Sequence, residues 1–341
     1  MSKGLKRLRS SGTTVIPIAS GKGGVGKSLV AANLAIALAG QGHSTIAVDM
    51  DLGGSNLYTY LGVPNSNPGI GDFLKSGGCR FQDLVVPTGI PNLSFVPGDG
   101  LTPFMANIDH DQRVALSREI RQLSARFVIL DLGAGTFFNT LNFFGLSRQG
   151  IVVTTFETPA MMNFVMFLRN FMFRVVSGLT RRNRAAFSAV IEAFHQPVRS
   201  APVTVEALIR RIDRVDPPLA ARVKSVCESY RPRIVFNMGD HPDELNVLRK
   251  VDHSLRNGLS LTADYLGFIY YDDVVRRAAK NREILMTRHP SSAAVQGIRE
   301  IAQRLTGARA EDTLSGIGHL QQTARDTYRR LSASGLSEAR L

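Results

Sequence analysis

The sequence predicts an α/β protein, a doubly wound and mainly parallel sheet between two helical layers. Three observations carry this expectation. Short, almost continuously apolar runs recur and alternate with helical stretches, as strands covered on both faces do. The first run leads into a glycine-rich turn that opens a helix of small residues. Two later runs lead into aspartates, at the carboxyl edge where open α/β sheets place their ligands.

The first strand is expected over 15–19, bounded by Ser20. The helix after the turn spans 27–39 and stops at Gly40 and Gly42, since glycine relieves the left-handed turn that ends a helix. A second strand over 45–48 runs into Asp49 and Asp51, and a short one over 93–96 is closed by Pro97-Gly98. A helix over 112–123 feeds a strand over 127–130 that meets Asp131; further strands are expected at 151–155, 234–237 and 265–269. Residues 176–232 break the rhythm. They are mostly polar helix, including 185–194 and 203–214, with arginine in excess over acid (Arg181, Arg182, Arg184, Arg199, Arg210, Arg211, Arg214 and Arg222 among others). The segment reads as a helical insertion between strands, which divides the chain into a basic segment 1–14, a main domain 15–310 carrying the insertion 176–232, and a tail 311–341.

The chain has 341 residues and a hydrophobic share of 44%, enough for a substantial core, so disorder is excluded. No apolar run is long enough to span a bilayer, and the basic start (Lys3, Lys6, Arg7, Arg9) is followed by no signal-peptide core, so a cytoplasmic protein is expected. Its two cysteines, Cys79 and Cys227, form no CxxC pair, and its histidines no HExxH, which removes support for disulfide, thiolate-metal and metalloprotease chemistry. The net charge of +13 is the global anomaly. It points to nucleic acid, anionic lipid or an acidic partner without choosing among them.

Gly21-Lys22-Gly23-Gly24-Val25-Gly26-Lys27-Ser28 fits G-x-x-x-x-G-K-[ST] between a predicted strand and a predicted helix, the context of a P-loop NTPase. Glycines let backbone N–H groups turn onto phosphate oxygens, and the helix N-terminus adds its dipole. Lys27 would meet the β/γ-phosphates and the Ser28 hydroxyl would ligate Mg²⁺. Asp131 sits where a Walker B acid belongs. Of Asp49 and Asp51, one could organise the metal and the other an attacking water, although Asp51 could equally satisfy turn N–H groups.

These residues resemble the MinD/ParA superfamily of deviant-Walker P-loop ATPases. The marks are the extra lysine Lys22, the segment Asp49-Met50-Asp51-Leu52-Gly53-Gly54-Ser55-Asn56-Leu57, the segment Leu130-Asp131-Leu132-Gly133-Ala134-Gly135, and Val235-Phe236-Asn237. Within it, the stretch from Phe73-Leu74 to Pro97-Gly98 and Gly133-Ala134-Gly135 look most like the MinD-like regulators of flagellar number and placement (FlhG, also called YlxH). The resemblance implies a slow ATPase that forms a homodimer around two nucleotides and works as a spatial switch with an activator. It implies that residues 21–29, Leu29 included, cradle ATP, that Lys22 reaches the partner subunit's phosphates as an in-trans finger, and that Lys27 serves catalysis. Asp51 would place the water, Asp49 and Asp131 would support Mg²⁺ through its water shell, and Asn237 would read the adenine.

Two segments remain. Leu314, Ile317, Leu320, Ala324, Tyr328 and Leu331 recur at helical spacing, so 314–341 is expected to be amphipathic, docked either on an anionic membrane at the inner face of the cell or on the protein body. The Met- and Phe-rich stretch 160–176 is expected to be a core or dimer-interface helix, and the pairs Phe137-Phe138 and Phe143-Phe144 follow Gly133-Ala134-Gly135, which the resemblance makes the switch segment. A DNA-partitioning ATPase of ParA type, using the insertion's arginines on phosphates, is the second reading, and an ATP-gated scaffold for a transcription or secretion partner the third.

Overall fold

In a computed structural model, which describes residues 12–76, 80–98, 108–195, 203–307 and 316–333, eight strands share one sheet. They are β1 (Thr14–Ala19), β2 (Thr45–Met50), β3 (Val86–Pro87), β4 (Leu93–Val96), β5 (Phe127–Leu132), β6 (Ile151–Thr154), β7 (Arg233–Gly239) and β8 (Asp264–Tyr270). Their spatial order is β3-β4-β2-β5-β1-β6-β7-β8, parallel throughout except for β3 against β4. The basic residues 1–10, Cys79, Arg199, Leu314 and 334–341 lie outside the described residues.

The helices connecting these strands are α1 (Lys27–Gly40), α2 (Leu57–Leu61), α3 (Ile70–Ser76), α4 (His110–Gln122), α5 (Phe138–Phe144), α6 (Thr158–Thr180) and α7 (Arg184–Phe194). The remaining ones are α8 (Val205–Asp213), α9 (Pro217–Glu228), α10 (Leu248–Leu259), α11 (Asp273–Asn281), α12 (Leu285–Arg288), α13 (Ala293–Thr306) and α14 (Ile317–Ala333). The period-two alternation of the strands divides the core. Ile16, Ile18, Phe127 and Ile129 point to one face, covered by α1, α2 and α11 to α13. Ala19, Val128, Leu130 and Leu132 point to the other, covered by α3 to α10 and α14. This gives the expected three-layer architecture. The alanine-rich α1 is buried along nearly all its length, since small side chains let it lie close between the sheet and α13.

Helix starts follow their caps. Asp109 forms a capping box with Gln112, which begins α4 two residues before the expected start. Asn183, Thr204 and Asp216 cap α7, α8 and α9 by accepting from Ala186, Ala207 and Leu219 N–H groups. The apolar faces of these three helices, Val190, Leu208, Ile212 and Val223 among them, join the same core as α6. The first residues of 176–232 belong to the last turn of α6, which runs to Thr180. That helix is one-sided: Phe164, Phe167, Leu168, Phe171 and Met172 are buried, whereas Met162 and Met166 are 69% and 44% exposed.

The tail helix α14 takes the second of its two expected positions. Leu320, Ala324 and Leu331 are buried against the body. Tyr270 Oη donates to Ala324 O at 2.8 Å, Arg304 donates to Thr323 Oγ1 at 3.0 Å, and Arg330 pairs with Glu300 at 3.2 Å. An apolar stripe occupied in this way is not presented to lipid in this conformation.

Replacing Leu320 by Ala is expected to cost about 2–4 kcal/mol of stability, the range for deleting a buried leucine side chain. Tyr270→Phe, which removes one buried hydrogen bond, should cost about 1 kcal/mol. Urea titrations check both, and unchanged midpoints would show that α14 does not pack on β8.

Candidate nucleotide-binding site

The loop after β1 is shaped by glycines with distinct tasks. Gly24 and Gly26 adopt φ of +83° and +82°, the left-handed region, which reverses the chain twice and lets consecutive N–H groups converge. Gly21 is glycine for space: a Cβ there would lie 2.1 Å from the carbonyl oxygen of Asn163, in the first turns of α6. Lys27 opens α1 and is 7% exposed. Its Nζ donates to Asp131 Oδ1 at 2.6 Å and lies 3.3 Å from Ser28 Oγ. Lys22, on the same loop, is exposed.

The acids come from neighbouring strands. In the parallel register Asp49 of β2 stands opposite Asp131 of β5, and both strands run further than expected, to Met50 and Leu132. Asp131 Oδ2 is buried and has no partner among the described residues. Asp49 is fully buried and its oxygens are engaged: Oδ1 accepts from Asp51 N at 3.1 Å, and Oδ2 from Asn56 N and Leu57 N, both at 3.1 Å. Burial first, and then the charge of Asp131, push the Asp49 carboxyl up to about 8 against the backbone N–H groups that favour its ionised form. Burial also raises Asp131, opposed by the Lys27 ammonium.

The switch segment closes over these groups. Gly135, at φ +85°, donates its N–H to Ser20 O at 2.9 Å. A Cβ on Gly133 would sit 3.4 Å from Asp51 Oδ1, so the half-buried Asp51 faces this segment across a glycine-sized gap. Lys27, Ser28, Asp49, Asp51 and Asp131 are therefore gathered at one carboxyl edge. Two of the expected site residues are engaged within the protein in this conformation. Asn237, expected to read the base, turns its Nδ2 to the carbonyl of Val25 at 2.9 Å and braces the loop from β7. Asp49, expected to support the metal, holds the N–H groups that lead into α2. Leu29 is buried and adds packing only through its side chain. The sequence reading missed Ser20, whose buried Oγ lacks a partner among the described residues, and the α6 backbone against Gly21. A polar residue at the mouth of a buried strand was the one available signal for Ser20.

A strand, a left-handed glycine loop, a helix led by a buried lysine and an aspartate on the adjacent strand define a P-loop nucleotide-binding protein. Residues 16–285 match the CobQ/CobB/MinD/ParA nucleotide binding domain, and the chain belongs to that family, whose MinD/ParA members are P-loop ATPases. It is 24% identical to the antiactivator FleN of Pseudomonas aeruginosa, over 85% of each chain. It is 33% identical to the flagellum site-determining protein YlxH of Helicobacter pylori, over 43% of this chain and 50% of that one. Its fold matches MinD of Pyrococcus horikoshii, solved with Mg-ADP, at a TM-score of 0.53 and 20% identity, covering 86% of this chain and 96% of that one.

Lys27→Ala would leave Asp131 buried without its counter-ion and is expected to destabilise the nucleotide-free protein by about 3–5 kcal/mol. Because the folded-state pKa of Asp131 is then raised still further above its unfolded value, the penalty is largest at neutral pH and shrinks as pH falls toward the ordinary carboxylate range. Denaturation across pH checks this, and Lys27→Ala/Asp131→Asn should recover most of the loss. Gly21→Ala should both lower the melting temperature and weaken nucleotide binding, as read by calorimetry.

Proposed function

We propose that the chain is a slow ATP-driven dimerisation switch of MinD/ParA type that positions or counts a cellular structure. The observation that carries this reading is the division of labour between two lysines of one loop, with Lys27 buried against Asp131 and Lys22 exposed. Arriving phosphates exchange Asp131 for themselves as the partner of Lys27, and residues 21–29 cradle them. Lys22 faces outward, where a second copy brings its own nucleotide, and stabilises charge that develops there during hydrolysis. Asp51 positions the attacking water against the switch segment. Asn237 supports the loop through Val25 and reaches the adenine only by leaving that carbonyl.

The residues present fit Mg²⁺. Among the described residues no group of three or more His, Cys, Asp and Glu could cage a metal, which agrees with an ion held by phosphates, waters and one hydroxyl. Ser28 Oγ would hold it directly, and the unpartnered Asp131 Oδ2 through water, with Asp49 one shell further out. The ion, when bound, neutralises phosphate charge. The similarity to YlxH supports flagellar placement as the process, and an activator protein as partner follows only from the proposed switch. Attachment at the inner face of the cytoplasmic membrane through 314–341 requires α14 to leave its place on β8; among the described residues no helix is long and apolar enough to cross a membrane.

A DNA-partitioning role is the second reading, favoured by one feature. Between α7 and α8 lies an open groove of about 500 Å³ lined by Arg210, Arg211 and Arg214. Binding to duplex DNA that requires ATP and falls steeply with salt would select it. An ATP-gated scaffold is the third reading, and measurable turnover would eliminate it.

Gel filtration should show a monomer that becomes a dimer with ATP, and Asp51→Ala should hold the dimer by blocking hydrolysis. Lys22→Ala is expected to lower turnover by about 100-fold or more while nucleotide binding by the monomer persists. No ATP-dependent dimer in either the native chain or Asp51→Ala would overturn the proposal.

A further inference from the structure

Beyond the phosphate loop, α4, α5 and α6 bring two arginines to one aromatic ring. The guanidinium carbon of Arg174 lies 4.3 Å from the Phe138 ring centroid and that of Arg113 4.8 Å from it. Arg113 is 9% exposed, held by Asn139 Oδ1 at 3.3 Å and His110 Nδ1 at 2.8 Å. Arg174 donates to Asn142 Oδ1 at 3.2 Å, and its Nε is buried with no partner among the described residues. None of these contacts brings a negative charge, and among the described residues no carboxylate pairs with either arginine. Charges withdrawn from water are ordinarily neutralised by an opposite charge, because the loss of hydration is otherwise uncompensated. Burial, followed by the fields of Arg113 and Arg181, holds Arg174 below its ordinary pKa.

The surroundings indicate what supplies the missing charge. Phe137 is 75% exposed and Phe138 50%. Exposed aromatic rings beside partly dry arginines form the composition of protein–protein hot spots. A phosphodiester backbone is met instead by fully solvated lysines and arginines arrayed along a face, and here one arginine is buried behind the ring.

We propose that the Arg113–Phe138–Arg174 stack is a docking site for a carboxylate-bearing segment of a partner protein, its Asp or Glu seated against the Arg174 guanidinium, with Arg113 holding the ring from behind and an apolar neighbour lying over Phe137. Arginine presents a planar fork that matches a carboxylate, and the ring fixes the orientation of both forks before the partner arrives. The site begins two residues beyond Gly135, whose N–H is tied to Ser20 O at the root of the phosphate loop. A docked segment therefore touches the piece of chain that closes over the nucleotide. The inference stands on these side chains and does not depend on ATP hydrolysis.

The test uses the full chain and a short fluorescein-labelled peptide of alternating Glu and Leu, followed by anisotropy at fixed ionic strength. Saturable binding is expected, weakened about tenfold or more by Arg174→Gln and by Phe137→Ala. Thermal melts confirm that the variants are folded. Arg113→Lys keeps the charge but not the fork and should weaken binding less than Arg174→Gln. The proposal is overturned if the peptide fails to bind, if its all-Gln counterpart binds equally well, or if Arg174→Gln leaves the affinity unchanged. It is overturned too if duplex DNA competes only with the native stack and not with Arg174→Gln, or if Arg174→Gln changes self-association and not peptide affinity.

Discussion

The ion pair between Lys27 and Asp131 is the interaction around which the rest is arranged. At 2.6 Å and almost without solvent, it joins the first turn of α1 to the carboxyl end of β5. Such a pair adds little net stability, because the cost of dehydrating two charges nearly cancels their attraction. Its consequence is spatial. The register that places Ile18 of β1 opposite Asp131 of β5 fixes where the ammonium can reach, and β5 lies between β1 and β2, so Asp49 is brought beside the same pair. Two buried carboxylates then share one ammonium. Burial is what chiefly raises both acids, and the ammonium that opposes it is the group for which arriving phosphates compete.

Three other segments close on the loop, two of them through a gap that only glycine leaves. Gly21 meets the backbone of Asn163, and Gly26 meets the amide of Asn237, where a Cβ would lie 2.3 Å from Nδ2. Gly135 reaches back to Ser20. The loop thus touches α6, β7 and the switch segment at once. A change in loop shape on binding phosphate must be absorbed by at least one of them, since close-packed interiors do not deform continuously. The switch segment is joined to the loop by one backbone hydrogen bond, from Gly135 to Ser20.

The strands of the sheet were legible because strands buried on both faces, such as 127–130 and 151–155, are written as unbroken apolar runs that nothing else in a chain of this composition imitates. The phosphate loop was legible because its glycines, lysine and serine act locally. The edge strand Val86–Pro87 was not, since two residues with a proline carry no periodicity and pair only because Leu93–Val96 offers a free edge. Asn237 and Asp49 were placed correctly in the chain, while the protein groups they meet in this conformation were not legible. The Asn237 contact spans a long sequence separation, and a residue type at a strand end does not state which of several nearby groups it will meet. The tail was legible only as two alternatives, for a related reason. Its amphipathic spacing specifies an apolar face and not the surface that covers it; Tyr270 and Leu320 decide that in three dimensions.

The helix α6 connects the chemistry to the surface. Its first turns lie against Gly21, its middle buries Phe164, Phe167 and Phe171, and its end leads into α7 to α9. A helix of this length is about 35 Å long and, packed along one face, moves as a rod. The helices α7 to α9 share its core, so they cannot swing independently of it. Arg174, near the far end of the rod, sits against Phe138, which is itself carried by the switch. The nucleotide edge therefore reaches the arginine-rich outer helices by two routes, along the rod and through the switch, and these converge at the Phe138 ring.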